Sequence, residues 1–195
     1  MIEIIQLIKV KIQKVIFLIF YKSSFYKFGK NSTILYPFRI NGAKFISISN
    51  KVHVNEGSWI LALKINDKKP IINIGEGSYI GRFAHIVGVS KVEICANVLI
   101  ADKVYISDNL HDYKDISMPI KEQGIVAKSP VIIGDSTWLG ENVCVIGASV
   151  GKHCVIGANS VVLSDIPDCC VAVGSPAKVI KRFNKSTGNW EKVNN

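Results

Sequence analysis

The stretch IGDSTWLGENVCVIGASVGKHCVIGANSVV, Ile133–Val162, repeats itself in steps of six residues. The aliphatic residues that open the steps are Ile133, Leu139 and Val145, followed after a one-residue slip by Val150, Ile156 and Val162. A step this short does not fit a repeat of helices, and its regularity does not fit a chain of hairpins. It fits a strand of about five residues plus a corner, with three such strands closing a triangular coil around stacked aliphatic side chains. The stretch therefore predicts a solenoid of parallel strands.

The same spacing extends the predicted solenoid towards the N-terminus. Its members are Ile74, Ile80, Ile86, Val92, Val98 and Val104, and small residues follow the first four at Ser78, Ala84, Ser90 and Ala96. Ile34, Ile40, Ile46 and Val52 keep the spacing without the small residue, which predicts less regular first coils. We therefore expect one coiled domain over residues 31–181 and a short C-terminal tail over residues 182–195.

The six-residue pattern stops at Asp108 and resumes near Val131. A strict pattern that is broken once predicts an excursion loop, here about residues 108–130. Of the four histidines, His111 alone lies on this loop. Loops held by a rigid scaffold commonly carry function, so His111 is the first candidate for a functional residue.

The N-terminal segment, residues 1–30, predicts an amphipathic helix. Ile5, Ile8, Ile12, Val15 and Ile19 recur at intervals of three and four residues. Charged residues interrupt the apolar run, which does not fit a secretory signal, and the uncharged part is shorter than the roughly 20 residues that cross a bilayer. Two alternatives stay open: the helix packs on protein, either its own domain or a neighbouring subunit, or residues 1–22 dock on an anionic membrane surface.

Composition restricts the partners and the compartment. The chain has 195 residues and a formal net charge of +9, carried by scattered lysines, which favours anionic partners such as phosphates or acidic polysaccharide. No nucleic-acid-binding motif accompanies the charge, so nucleic acid is not an expected partner. The five cysteines show no framework spacing, which is typical of reduced thiols. We expect a cytoplasmic protein, with peripheral contact at the inner face of the cell membrane as an option.

The region from Ile34 to Lys181 resembles the hexapeptide-repeat, left-handed β-helix acyltransferases. The closing segment, through GANS at residues 157–160 and PAKVIK at residues 176–181, is most similar to O-acetyltransferases that modify sugars and polysaccharides. This resemblance implies an all-β, left-handed parallel β-helix, acetyl-CoA as co-substrate and direct acetyl transfer. It also implies a homotrimer with sites between its subunits.

Transfer of an acetyl group to a sugar hydroxyl requires a general base, and histidine supplies one near neutral pH. HDY at residues 111–113 resembles the family's motif at the catalytic histidine, which predicts that His111 is the base. Asp108 and His85 are expected to contact the substrate. The resemblance also places cofactor-binding residues at Trp138, Ala158, Ser160, Lys178 and Lys181.

The leading hypothesis is an O-acetyltransferase for a sugar in a surface polysaccharide or in its lipid-linked or nucleotide-linked precursor. The alternatives are an O-acetyltransferase of a small metabolite or antibiotic, an N-acyltransferase of an amino sugar, and an inactive scaffold. A zinc-dependent carbonic anhydrase of the same fold requires three converging histidines, and the spacing of His85, His111 and His153 does not favour it. No metal is therefore expected.

Overall fold

The structure is a computed structural model that describes residues 1–193 as one helix, α1 (Ile2–Phe20), followed by a three-sided coil. Strands are numbered in chain order. The first face contains β1 Lys27–Phe28, β4 Ile46–Ile48, β7 Ile71–Ile74, β10 Lys91–Ile94 and β15 Val131–Ile133. The second contains β2 Thr33–Ile34, β5 His53–Val54, β8 Tyr79–Ile80, β11 Leu99–Ile100, β16 Trp138–Leu139, β18 Val155–Ile156, β20 Cys170–Gly174, β21 Ala177–Asn184 and β22 Asn189–Lys192. The third contains β3 Arg39–Asn41, β6 Trp59–Ala62, β9 His85–Gly88, β12 Tyr105–Ser107, β17 Cys144–Ile146 and β19 Val161–Val162.

A two-stranded hairpin, β13 Asn109–His111 and β14 Ile125–Ala127, projects from the coil. Short 3-10 turns cover Lys22–Ser24, Ala43–Phe45 and Ile120–Glu122. The last two pairs on the second face, β20 with β21 and β21 with β22, are antiparallel. The strand pairs before them on the three faces are parallel.

Aliphatic side chains stack inside the coil, as the six-residue spacing predicted. On the second face, Ile80, Ile100, Leu139 and Ile156 follow one another in register on neighbouring strands, and all four are fully buried. Each strand is too short to bury its apolar side alone, so the stacking of coils creates a continuous core. The all-β coil is confirmed.

The structure corrects the phase of the repeat after Ile86. The sequence spacing continued the series through Val92, Val98 and Val104, but the partners of Ile74, Ile80 and Ile86 on the next coil are Ile94, Ile100 and Ile106. The coil is therefore two residues longer than three six-residue steps. The additional residues widen the corner around Gly88–Ser90, between the third and first faces. The core accommodates this shift because both series are aliphatic and both are buried.

The small residue of the repeat lies at a corner, where a buried hydroxyl joins adjacent coils. Ser78 Oγ donates a hydrogen bond to the carbonyl oxygen of Cys95 at 2.8 Å and accepts one from the backbone N–H of Val98 at 3.1 Å. Thr137 repeats the arrangement two coils later, with the carbonyl of Gly151 and the N–H of Cys154. A small side chain fits the crowded corner, and a hydroxyl also satisfies backbone groups that the turn removes from the ladder.

The domain ends differ from the predicted boundaries. The coil starts at β1, inside the segment expected to be a separate N-terminal region, and β21 continues through residue 181 to Asn184. A shorter connection, residues 63–70, leaves the corner between the third and first faces, where residues 108–130 also leave. Helix α1 forms as predicted and contributes one buried residue, Phe17, which packs against Phe25 and Phe28. Among the described residues, no helix combines the length and apolarity needed to cross a bilayer.

Candidate active site

His111 lies at the outer end of β13, where the excursion leaves the coil. Strand β12 ends at Ser107 on the third face, and the chain then turns into β13 within two residues. The antiparallel register pairs Asn109 with Ala127 and His111 with Ile125. The backbone of His111 is therefore held by a ladder, while its side chain is exposed to solvent. This combination gives a histidine a defined position and access to an external substrate.

Asp108 fixes the base of this hairpin. Its carboxylate accepts hydrogen bonds from the backbone N–H groups of Val89 at 2.8 Å and of Ser90 and Lys91 at 2.7 Å each. These three donors belong to the widened corner of the preceding coil. Asp108 is fully buried, so in this chain it offers a substrate no accessible atom, in contrast to the substrate contact expected from the sequence. Its geometry gives it a structural role instead, because it joins the hairpin to the corner beneath it.

The second face carries an exposed apolar column that leads to two lysines. Tyr79, Leu99 and Trp138 lie in register on neighbouring strands, and each side chain is 42–48% exposed. The register then continues from Trp138 through β18 and β20 to Lys181 on β21. Three strand spacings separate Trp138 from Lys181, which corresponds to about 14 Å. Residues paired across strands share a face, so both side chains project from the same side of the coil.

Lys178 lies on the same outer side, because it is the cross-strand partner of the exposed residue Val173. Ala158 is exposed at the corner that follows β18, between the second and third faces. Ser160 differs from the cofactor contact expected from the sequence: it is fully buried, and its Oγ accepts a hydrogen bond from the N–H of Gly174 at 3.0 Å. Four of the five predicted cofactor-binding residues are therefore accessible, and Ser160 is a corner hydroxyl like Ser78.

His85 belongs to an aromatic stack on the third face that the sequence spacing did not predict. Its ring lies 4.4 Å from that of Trp59, at an interplanar angle of 7°, and 5.2 Å from that of Tyr105. Burial lowers the pKa of His85, which favours the neutral imidazole. Two buried nitrogen atoms, His85 Nε2 and Trp59 Nε1, have no hydrogen-bond partner within residues 1–193. The stack forms because Trp59, His85 and Tyr105 lie in register on β6, β9 and β12. The coils between these strands differ in length, so the sequence spacing alone does not reveal this register.

The predicted site residues do not converge within one chain. His111 projects near the corner between the third and first faces, whereas Trp138, Lys178 and Lys181 lie on the second face. In a triangular coil the second face is opposite that corner. His85 is on the third face, which runs towards the hairpin of His111. One chain thus places His111 on one side of the molecule, and the apolar column with Lys178 and Lys181 on the opposite side.

Three of the five cysteines lie in surroundings that disfavour a nucleophilic thiolate. Burial raises the pKa of Cys154 to about 11, and burial also raises the pKa values of Cys95 and Cys144. A thiol attacks as its thiolate, which these surroundings disfavour. Among residues 1–193, no group of three or more His, Cys, Asp or Glu side chains is arranged to hold a metal ion.

Comparison with known proteins identifies the repeat. Residues 130–164 match the family described as the hexapeptide repeat of succinyl-transferase. The chain is 42% identical over 142 residues to the probable acetyltransferase Rv3034c of Mycobacterium tuberculosis, covering 69% of this chain and 45% of the relative. It is 39% identical over 130 residues to the putative lipopolysaccharide biosynthesis O-acetyl transferase WbbJ of Escherichia coli, covering 63% of this chain and 66% of the relative. The chain therefore spans about half to two thirds of these curated relatives.

Two solved structures extend the likeness. AntD, an N-acyltransferase from Bacillus cereus solved with dTDP and 3-hydroxybutyryl-CoA, superimposes with a TM-score of 0.69 over 85% of this chain and 87% of that chain, and its 19% identity shows the fold alone. A maltose O-acetyltransferase from Clostridium difficile is 30% identical, with a TM-score of 0.57 over 84% of this chain and 73% of that chain. The six-residue repeat, the three-faced coil and these matches together show that the chain belongs to the family of hexapeptide-repeat acyltransferases, which fold as left-handed parallel β-helices.

Proposed function

We propose that the protein is an acetyl-CoA-dependent O-acetyltransferase that acetylates a sugar hydroxyl in a surface polysaccharide or its precursor. Similarity to WbbJ, a putative lipopolysaccharide biosynthesis O-acetyl transferase, and to the maltose O-acetyltransferase supports a sugar acceptor. The proposal rests on one observation. The exposed His111 lies on an ordered hairpin, and the coil that carries this hairpin has an apolar column leading to Lys178 and Lys181.

His111 is the general base of the proposed reaction. As the sugar oxygen bonds to the thioester carbonyl carbon, the hydroxyl proton moves to the imidazole of His111. The carbon–sulfur bond then breaks, and the departing CoA sulfur takes the proton from the imidazolium. The acetyl group passes directly to the sugar, because the raised pKa values of Cys154 and Cys144 do not favour a covalent intermediate on either thiol.

Acetyl-CoA binds along the second face in this proposal. The thioester lies near Trp138, the pantetheine chain follows the apolar column past Ala158, and the phosphates meet Lys178 and Lys181. The distance of about 14 Å between Trp138 and Lys181 suits an extended chain between these two ends. A lysine ammonium provides a point charge for a phosphate without the two-pronged geometry of arginine.

The complete site requires a second copy of the chain. His111 and the second face lie on opposite sides of one coil, so His111 of one chain reaches only the second face of a neighbour. Repetition of this contact around a threefold axis closes a homotrimer with three equivalent sites. The acceptor then lies beside the hairpin, where the stack containing His85 and Trp59 forms its wall.

The replacement of His111 by alanine tests the proposal. Because His111 is exposed, His111→Ala should fold normally and keep its KM for acetyl-CoA, while kcat on an acceptor sugar falls by about 10² to 10⁴. His111→Asn should be almost as impaired, because an amide cannot take a proton at neutral pH. Turnover is measured by release of the CoA thiol, and folding by circular dichroism.

His53→Ala is the matched control, since His53 is also exposed but lies on an early coil, three strands before Trp138. It should retain its activity. If His111→Ala keeps more than about a tenth of the wild-type kcat, a loss far smaller than removal of a general base causes, the assignment of the base is wrong. A wild-type protein that does not turn over acetyl-CoA with any sugar acceptor would contradict the proposed activity itself.

A further inference from the structure

The apolar stripe of helix α1 points away from the coil. Its five members are between 47% and 66% exposed: Ile5, Ile8, Ile12, Val15 and Ile19. The helix meets the coil through the opposite side, where Phe17 is buried and Val10 and Gln13 are partly buried. At about 100° per residue, the centre of the stripe and the position of Phe17 are separated by nearly half a turn. The alternative that the stripe packs on its own domain is therefore not what the structure shows.

This orientation is the reverse of that of an ordinary surface helix. A helix on a globular domain normally turns its apolar face to the core and its polar face to water. In α1 the side against the coil includes Gln13, whose Oε1 is buried, while the outer side is aliphatic along its length. An uncovered stripe of this length indicates an interaction surface.

Positive charge borders the stripe on both sides. On a helical projection Lys9 lies at one edge and Lys11 at the other, and Lys14, which is partly buried, adds charge nearer the coil. The single acidic residue of the helix, Glu3, projects towards the half that faces the coil. An aliphatic face flanked by lysines is typical of a helix that lies in a lipid headgroup region, where the lysine stems extend to the phosphates.

A second copy of the helix fits this pattern less well. A twofold contact between two stripes brings identical surfaces together, so their bordering lysines would approach one another. The outer half of the helix has no acidic residue that could compensate them. An anionic bilayer presents the opposite charge at the same place. Charge complementarity therefore favours an anionic bilayer, rather than α1 of a second copy of the chain, as the partner of the stripe.

We propose that the outward stripe of α1, with Lys9 and Lys11, docks the protein on an anionic membrane surface. The helix lies parallel to the bilayer, its aliphatic side chains enter the headgroup boundary, and the first coil faces the membrane. This binding is independent of the acetyl transfer proposed above, since its residues lie at the end of the coil remote from β16 to β21.

Co-sedimentation of the full-length protein with vesicles tests this proposal. The protein should sediment with vesicles that contain phosphatidylglycerol, should bind far less to pure phosphatidylcholine, and should be released by high salt. Ile8→Glu combined with Ile12→Glu should abolish the binding, because both side chains are more than half exposed and their replacement leaves the coil intact. Circular dichroism and acetyl-CoA turnover on a soluble sugar show whether this variant is folded.

Lys9→Gln combined with Lys11→Gln should weaken binding at least tenfold and reduce its dependence on salt. The matched control is Lys103→Gln combined with Lys152→Gln, which removes the same charge from corners of later coils and should bind like the wild type. If the control variant loses as much vesicle binding, the protein is attracted by its net charge alone, and the proposal is overturned. It would also be overturned if the wild type fails to bind anionic vesicles, or if Ile8→Glu with Ile12→Glu changes the oligomeric state in light scattering, which would make the stripe a subunit interface.

Discussion

Asp108 and His111 are three positions apart, and the structure gives them unlike surroundings. Asp108 is fully buried and bonded to three backbone N–H groups, whereas His111 is exposed. At the widened corner around Ser90, backbone N–H groups lack the carbonyl partners that a regular coil would give them. The carboxylate of Asp108 accepts their hydrogen bonds instead. Asp108 thus satisfies the widened corner at Gly88–Ser90 and also anchors the hairpin β13–β14. The position of His111 depends on both features.

Removal of the Asp108 carboxylate should therefore affect stability and catalysis together. Asp108→Ala leaves three N–H groups without their acceptor, and each unsatisfied buried donor costs about 1–3 kcal/mol. We expect a Tm lower by several degrees and a reduced kcat, with the KM for acetyl-CoA nearly unchanged. Asp108→Asn, which keeps one carbonyl oxygen, should lose less of both. Thermal melts and turnover assays measure these effects.

Asp102→Ala is the matched control, because Asp102 accepts a hydrogen bond from a single backbone N–H, that of Arg82, at another corner. Its effect on Tm should be clearly smaller, and its kcat should match the wild type. If Asp108→Ala has a normal kcat in spite of a lower Tm, the hairpin does not need this anchor.

The two lysines of β21 carry a prediction about cofactor charge. If Lys178 and Lys181 meet phosphates, the double change to alanine should raise the KM for acetyl-CoA about tenfold, equivalent to about 1.4 kcal/mol, with a smaller effect on kcat. The contacts are similar in the ground and transition states, which is why KM changes most. Steady-state kinetics at varied acetyl-CoA tests this, with Lys51→Ala as control, a lysine that pairs with Glu76. An unchanged KM would remove both lysines from the site.

His85 should make stability depend on pH. Burial lowers its pKa in the folded protein, so protons bind more readily to the unfolded chain. The Tm should therefore fall as the pH decreases from about 7.5 to about 5.5, through the ordinary histidine value of about 6.5. His85→Phe keeps a ring between Trp59 and Tyr105 and should reduce this decrease. Thermal melts at both pH values test it, and an undiminished decrease in the variant would place the origin elsewhere.

At the scale of elements, helix α1 is an addition to a coil that is complete without it. Phe17 is its one buried residue, and β1 already occupies the first face after the helix. Deletion of residues 1–22 should leave a folded coil that acetylates soluble sugars, with a Tm lower by a few degrees because Phe25 and Phe28 lose their cover. Size-exclusion chromatography and thermal melts measure the result. An insoluble or aggregated deletion product would show that the helix is part of the folding unit.

The whole molecule separates the two halves of the proposed site. His111 and the column from Trp138 to Lys181 are on opposite sides of one coil, so only an assembly brings them together. This arrangement predicts complementation between defective chains. In mixed trimers of His111→Ala and Lys178→Ala/Lys181→Ala chains, about a quarter of the sites should combine two intact halves.

At low acetyl-CoA the mixture formed by co-expression should therefore reach about a quarter of the wild-type rate, whereas each parent alone stays well below it. Separately purified parents, combined without exchange of subunits, provide the control. Activity equal to the mean of the two parents would show that each site belongs to a single chain.

The sequence by itself determined the architecture. Aliphatic residues at intervals of six can be buried together only if short strands stack in coils, so the solenoid follows from the series Ile74, Ile80, Ile86 and Ile133, Leu139, Val145 without knowledge of distant contacts. The interruption at Asp108 likewise marks the excursion, because the loss of a strict pattern is a local signal. Helix α1 is visible for the same reason, since its spacing of three and four is local.

Tertiary structure alone decided the register and the roles that depend on it. The coil that contains Gly88–Ser90 is longer than three regular steps, and because Val92 and Ile94 are both aliphatic, the sequence offers no means to choose between them. That choice sets which side chains align on the neighbouring coils, including Leu99 with Tyr79 and Tyr105 with His85. Burial of Asp108 and Ser160 and the outward stripe of α1 also depend on long-range contacts. Spacing along a chain specifies which residues can face a core, but only packing decides which partners they meet.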